Sequence, residues 1–215
     1  MGGTIMKKVI PTLLVVLALV AICFAAGKYK APAPELHDSL IPGLKDEFFT
    51  DFNPDQIISS DKKPDQEKPK TSDNITSRLP VWEFRGSDIL RAQASKDDEE
   101  KAIFHKYALR LESLKQVVNE RLNILALKAW EEYNQVKPEG KLEKLNFANK
   151  YYAGMSYLQK NLDRSFNSEL DNMKSELENA GFSTRIVGEL RTEYKNSKQK
   201  FEQDLMRQFE QKGNK

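Results

Sequence analysis

The chain has 215 residues, 34 of them basic and 32 acidic, so its formal net charge is only +2. That balance excludes the electrostatic footprint of a nucleic-acid binder. Its one cysteine, Cys23, lies in the apolar N-terminal run, so everything downstream lacks the means for a disulfide framework or a thiolate metal site.

Val9 to Gly27 (VIPTLLVVLALVAICFAAG) carries no charge and follows Lys7 and Lys8. A basic start, an apolar stretch and a small-residue end at Ala25, Ala26 and Gly27 are the three parts of a secretory signal. The same run approaches the roughly 20 apolar residues that span a bilayer. Two readings of residues 1–27 therefore stand together. Cys23-Phe24-Ala25 and Ala25-Ala26-Gly27 place small residues where a peptidase needs them, which favours a cleaved signal. The absence of a polar spacer before Phe24 favours a retained signal-anchor helix. Either way the basic N-terminus stays in the cytoplasm and the rest is extracytoplasmic, secreted or held to the membrane through residues 9–27. Lipidation of Cys23 is disfavoured because Ile22 stands where that signal wants Gly, Ala or Ser. MKKVIPTLLVV from Met6 is already a complete bacterial-type start, which leads us to expect translation from Met6.

Residues 28–86 read as a linker. Pro32, Pro34, Pro42, Pro54, Pro64 and Pro69 fall here, and Asp61 to Asn74 is a run of charge, proline and polar side chains. Such composition buries too little apolar area to offset its ordering entropy, so a disordered spacer is expected. An apolar island at 40–52 interrupts it. Leu44, Phe48 and Phe52 recur every four residues, the pattern of one face of a short helix ending before Asn53-Pro54. That helix either docks on the C-terminal domain or serves as a partner-binding or membrane-surface segment. Leu79 to Phe84 is an extended apolar patch whose Trp82 is expected to pack on the bundle, and Gly86-Ser87-Asp88 looks like a helix entry. Asn74-Ile75-Thr76 matches a glycosylation acceptor, a signal of little weight behind a bacterial-type start.

Residues 87–215 are predicted to form an all-α domain. Ser95 to Asp98 offers a capping-box-like start. The apolar stripe Phe104, Tyr107, Leu111, Leu114, Val118, Leu122, Leu125, Ala129, Tyr133 then runs at helical spacing to the breaker Lys137-Pro138-Glu139-Gly140. A second stripe of similar length follows: Leu142, Leu145, Ala148, Tyr152, Met155, Leu158, Leu162, Phe166, Leu170, Met173, Leu177, Ala180. Gly181 sits where a left-handed C-cap belongs, with Phe182 beyond it. Ser183 or Thr184 caps a third, shorter helix with Val187, Leu190, Tyr194, Phe201, Leu205 and Phe209 inward. Short turns make sequential helices antiparallel. The expected fold is a long antiparallel coiled-coil-like helical hairpin plus a third helix, up-down-up, preceded by the export or transmembrane helix and the linker.

Trp130, Tyr133, Phe147, Tyr151 and Tyr152 gather near the Pro138 turn. They are the candidate partner-binding tip, and the competing reading is that they are end-packing of the helices themselves. A third helix shorter than the first two would leave apolar surface there, which suits a protein partner or a homo-oligomer. No catalytic, cofactor or metal motif is present: His37 and His105 stand apart, Ala102 lies three before His105 where a di-iron bundle needs Glu, and the glycines form no phosphate-cradling loop. No small-molecule substrate is evident, and an enzyme is not expected. The plan of export signal, spacer and long helices is similar in outline to periplasmic tentacle chaperones, although no strand-rich body can be read here. The sequence thus points to a non-enzymatic bacterial envelope protein acting by protein contact or self-assembly. The alternative is a holdase-like chaperone or envelope-ligand-binding module.

Overall fold

The computed structural model describes residues 41–55, 80–93, 95–138 and 140–213. The export segment at 1–27 and the spacer residues 28–40 and 56–79 lie outside the described residues. Those described are all-helical, with no strand among them: α1 Asp46–Thr50, α2 Gly86–Arg91, α3 Asp98–Val136, α4 Lys141–Asn179 and α5 Arg185–Gly213. Among them no helix is long and apolar enough to cross a membrane.

Each long helix begins and ends for a local reason. Asp97 caps α3, its carboxylate accepting from the N–H groups of Glu99 (2.8 Å) and Glu100 (3.3 Å). The cap is thus Asp97 rather than Ser95, whose hydroxyl instead accepts from Asp97 N–H. Acidic side chains at Asp98, Glu99 and Glu100 lie at the positive end of the helix dipole. The helix stops at Lys137, which takes the left-handed conformation at φ 44° just before Pro138. Glu143 accepts from Gly140 N–H (3.4 Å) at the start of α4. At its end Gly181 (φ +76°) donates to Glu178 O (3.1 Å) and Phe182 N–H to Leu177 O (2.8 Å), the paired bonds of a Schellman cap. Both α3 and α4 have 39 residues, about 58 Å each, whereas the 29 residues of α5 give about 43 Å.

Polar contacts between α3 and α4 pair residues in opposed sequence order: Lys106 with Glu176 (2.8 Å), Arg110 with Glu169 (2.5 Å) and Glu132 with Lys150 (2.7 Å). Between them lies one hydrophobic cluster containing Phe104, Leu111, Leu114, Val118, Leu125, Leu158, Phe166, Leu170, Met173 and Leu177, joined by Val187, Leu190 and Tyr194 of α5. These are stripe positions. The helical spacing of three and four therefore decided which faces left water.

Trp82, Phe84 and Gly86 belong to this core although their sequence reads as the end of the linker, while Val81, Glu83 and Arg85 between them face solvent. Trp82 and Phe84 are buried and stack at 5.5 Å, and Phe84 meets Phe166 edge-on. Asn119 of α3 brackets Trp82, accepting from its N–H (2.8 Å) and donating to its carbonyl (3.2 Å). From the other side Trp82 Nε1 donates to Ser197 Oγ of α5 (3.1 Å). An extended strip laid against helices has no ladder of its own, and these side chains satisfy the backbone and the indole of Trp82.

The island at 40–52 contributes a shorter helix than its periodicity suggests. Only Asp46–Thr50 is helical, and Phe49 rather than Phe48 is the most buried of its aromatics. The chain leaves the helix at Asp51 because side-chain turns compete: Asp51 Oδ1 accepts from Asn53 N–H and Asn53 Oδ1 from Asp55 N–H. Pro54 further disfavours helix at Asn53. Ile41, Phe49 and Phe52 join the main cluster.

Candidate contact surface around the Pro138 turn

The five aromatics near the turn separate into two groups. Tyr133, Phe147 and Tyr151 are buried, with Tyr133 and Phe147 edge-on at 5.6 Å and Phe147 and Tyr151 at 5.0 Å. These three rings close the end of the core, because α3 and α4 run out here with no further apolar layer to cover it. Tyr151 Oη donates to Glu132 Oε2 (2.9 Å), and Lys150 reaches the same carboxylate (2.7 Å). Burial first, and then the Glu132 carboxylate, push the Tyr151 phenol well above its ordinary pKa. Trp130 and Tyr152 are half-buried.

Two aliphatic side chains outside the five candidate tip residues are the exposed ones. Val136 is 61% exposed and Leu142, which the second stripe counts as core, is 70% exposed. Leu142 stands in the first turn of α4, beyond the last residues of α3 that could cover it, so the inward face at this end passes to Phe147, Ala148 and Tyr151. Since α5 begins at the Gly181 end and is about 15 Å shorter than α4, it does not shelter the turn either. The charges around it are unevenly matched. Glu131 is paired with Lys128, and Glu132 with Lys150, whereas Lys137 and Lys144 have no ion-pair partner among the described residues.

A second feature lies along the flank. Residues 41–55 run from Gly154 of α4 toward Arg110 of α3 and are held by complementary chemistry. Ile41 fills the notch left by Gly154: a Cβ built there would lie 2.6 Å from Ile41 Cδ1. Phe49 packs on Tyr157 with ring centres 5.9 Å apart. The Arg121 guanidinium sits over the rings of Phe52 (4.4 Å) and Phe48 (5.7 Å) and donates to Asp51 O. Its Nη1 is buried without a hydrogen-bond partner among the described residues, and burial lowers its pKa against the opposing pull of Asp51 and Glu120. Asp55 meets Arg110, which also forks onto the buried carboxylate of Glu169.

At the opposite end of the long helices two open depressions, of about 320 and 630 Å³, are lined chiefly by polar groups. In the larger one Lys106 and Tyr107 both donate to Glu176, so those groups satisfy one another. His105 is exposed on α3, and no three His, Cys, Asp or Glu side chains converge among the described residues. Comparison with known protein families, curated proteins and solved structures finds no match to this chain.

Proposed function

We propose that this chain is a non-enzymatic extracytoplasmic protein of a bacterial cell envelope, secreted or anchored through residues 9–27, which acts by protein contact or self-assembly. In this reading α3 and α4 form a coiled-coil-like antiparallel hairpin, α5 completes an up-down-up bundle, and the hairpin tip is the contact end. The observation that carries it is the exposure of Val136 and Leu142 beside the half-buried Trp130 and Tyr152, at the end that α5 does not cover. Val81 is as exposed as Val136 but stands alone, whereas apolar side chains grouped at one extremity mark a surface that another molecule can cover. The buried rings of Tyr133, Phe147 and Tyr151 are the tip's rigid base and are not themselves offered to a partner.

A holdase-like or envelope-ligand-binding role is the second reading. It draws on the flank groove, where Gly154 and Arg121 already hold an aromatic segment of this chain. Photo-crosslinkable side chains at Val136, Leu142 and Leu109 of the full chain, in its own envelope, test the tip. Adducts concentrated at Val136 and Leu142 are the expected result. Adducts spread equally over all three positions, or none at any, refute a contact end.

A further inference from the structure

Exposed apolar surface names no occupant by itself. The route of the chain does. If residues 28–86 were one free spacer, 59 residues would separate the uncharged run at 9–27 from the helices and would impose no orientation on them. The docking of Ile41 against Gly154 shortens that lead to residues 28–40. Thirteen residues at full extension reach about 45 Å. Gly154 is twelve residues from Leu142 along α4, about 18 Å. From there residues 41–55 run away from the turn, since Asp55 meets Arg110, about 39 Å from Val136 along α3. The chain therefore enters the bundle on its turn side.

Reach alone would also allow the opposite end to face the membrane, and chemistry separates the two. At the opposite end Lys101, Lys106 and Arg185 are taken up by Asp98, Glu176 and Glu189, whereas Glu99 and Glu100 have no ion-pair partner among the described residues, so the charge left over there is acidic and offers nothing to anionic headgroups. The turn end carries two exposed aliphatic side chains with Lys137 and Lys144, neither of them in an ion pair among the described residues, and the sequence of the turn holds one more lysine, Lys141, beside Glu139 and Glu143. Half-buried Trp130 and Tyr152 stand behind them. Aliphatic groups that enter the headgroup boundary, lysines that meet anionic lipid and aromatics at the interface are the elements of interfacial membrane contact.

We propose that the Pro138 turn seats on the surface of the bilayer that holds residues 9–27, with Val136 and Leu142 entering the headgroup layer and Lys137 and Lys144 meeting anionic lipid. This rests on the contact-end reading above and on retention of the anchor. It keeps the tip as the contact end but makes its occupant lipid in place of protein, and leaves the flanks of the bundle, facing outward, for a protein.

The test uses the full chain in a Cys23→Ser background, with a bimane probe at Leu142→Cys or, as control, at Leu109→Cys on the flank. The proteins are reconstituted into phosphatidylglycerol–phosphatidylcholine vesicles containing a shallow doxyl lipid, and far-UV circular dichroism verifies folding. The expected result is loss of fluorescence to doxyl lipid and shielding from aqueous iodide at Leu142, with neither at Leu109. Adding Lys137→Glu and Lys144→Glu must reverse the loss. A Leu142 probe as open to iodide as Leu109 overturns this proposal and self-assembly through the tip, and leaves a separate protein partner at the contact end to the crosslinking in the envelope. Shielding from iodide without doxyl quenching means that a second copy covers the tip, which overturns lipid and keeps the contact end. A chain that does not float with the vesicles removes the anchor and the proposal with it.

Discussion

Glycine at position 154 sets two effects of opposite sign against each other, and their balance reports whether residues 41–55 occupy the flank of α4 in solution. In an exposed helix Gly→Ala is stabilising, by about 0.8–1 kcal/mol. Here the added Cβ would stand 2.6 Å from Ile41 Cδ1, and Ile41 is buried against Phe49 and the core. Relief requires Ile41 to leave its rotamer or the segment to lift. Overpacking of this kind costs about 1–3 kcal/mol, so Gly154→Ala should be neutral or destabilising by up to about 2 kcal/mol in the otherwise native chain. In an Ile41→Ala background the obstacle is gone and the same change should stabilise by about 1 kcal/mol. The coupling between the two positions is then about 1–3 kcal/mol, within the range of residues in direct contact. Urea unfolding of the four full-length proteins, followed by far-UV circular dichroism, measures the cycle. Equal stabilisation by Gly154→Ala in both backgrounds would show that Ile41 does not rest on Gly154, and the short lead to the bundle would fall with it.

Two further outcomes follow from the same contacts. A Cβ at Gly86 would lie 2.1 Å from Phe84 Cζ, and that ring cannot swing aside because Trp82, Phe166 and Tyr194 surround it. Gly86→Ala should therefore destabilise by about 1–3 kcal/mol, and an unchanged melting temperature would contradict the packing of Phe84 over Gly86. Burial raises the carboxyl pKa of Glu202, outweighing Lys198 and Gln159, which lower it. A raised folded-state pKa means that the folded chain carries a penalty at neutral pH and sheds it as pH falls through the raised value. Glu202→Gln should then unfold at higher urea than the native chain at neutral pH, with the gap closing below the ordinary carboxyl range; a gap that is constant or widens on acidification speaks against the assignment.

How legible the fold was depended on whether a residue's partner lies within its own element. The stripes of α3 and α4, the break at Lys137-Pro138 and the Gly181 cap all follow from spacing or local backbone chemistry, and between Phe104 and Ala129 on α3 and between Leu158 and Leu177 on α4 the stripe residues are buried or partly buried. Trp82 was legible as an apolar residue in need of cover. Asn119 and Ser197, which supply its partners, were not, because polar residues on a long helix look alike until something extended is laid against them. Phe49 gave little signal for a related reason: a strict four-residue period picks out Leu44, Phe48 and Phe52, but only Asp46–Thr50 is helical, and Phe49 is buried alongside Phe52.

At the candidate site the difficulty is sharper, since periodicity reports which face is apolar and says nothing about where a helix outruns its neighbours. Leu142 satisfies the second stripe by spacing and is still 70% exposed, because at the first turn of α4 no neighbour remains to receive it. Trp130, Tyr133, Phe147, Tyr151 and Tyr152 are all aromatic and all close to the turn, yet three are interior and two are not, a division set by the rotation of each about its helix axis. Gly154 and Arg121 gave the least signal. One reads in sequence as a weak spot in a helix and the other as a surface charge, and each gains its role only from a segment more than sixty residues earlier in the chain. The chemistry of that encounter is specific all the same: a missing side chain admits Ile41, and a guanidinium covers the rings of Phe48 and Phe52 while it binds the carbonyl of Asp51. A helix surface built for solvent alone would gain nothing from a glycine at 154, which gives up helix propensity. That loss is offset only where the absent Cβ makes room for a neighbour.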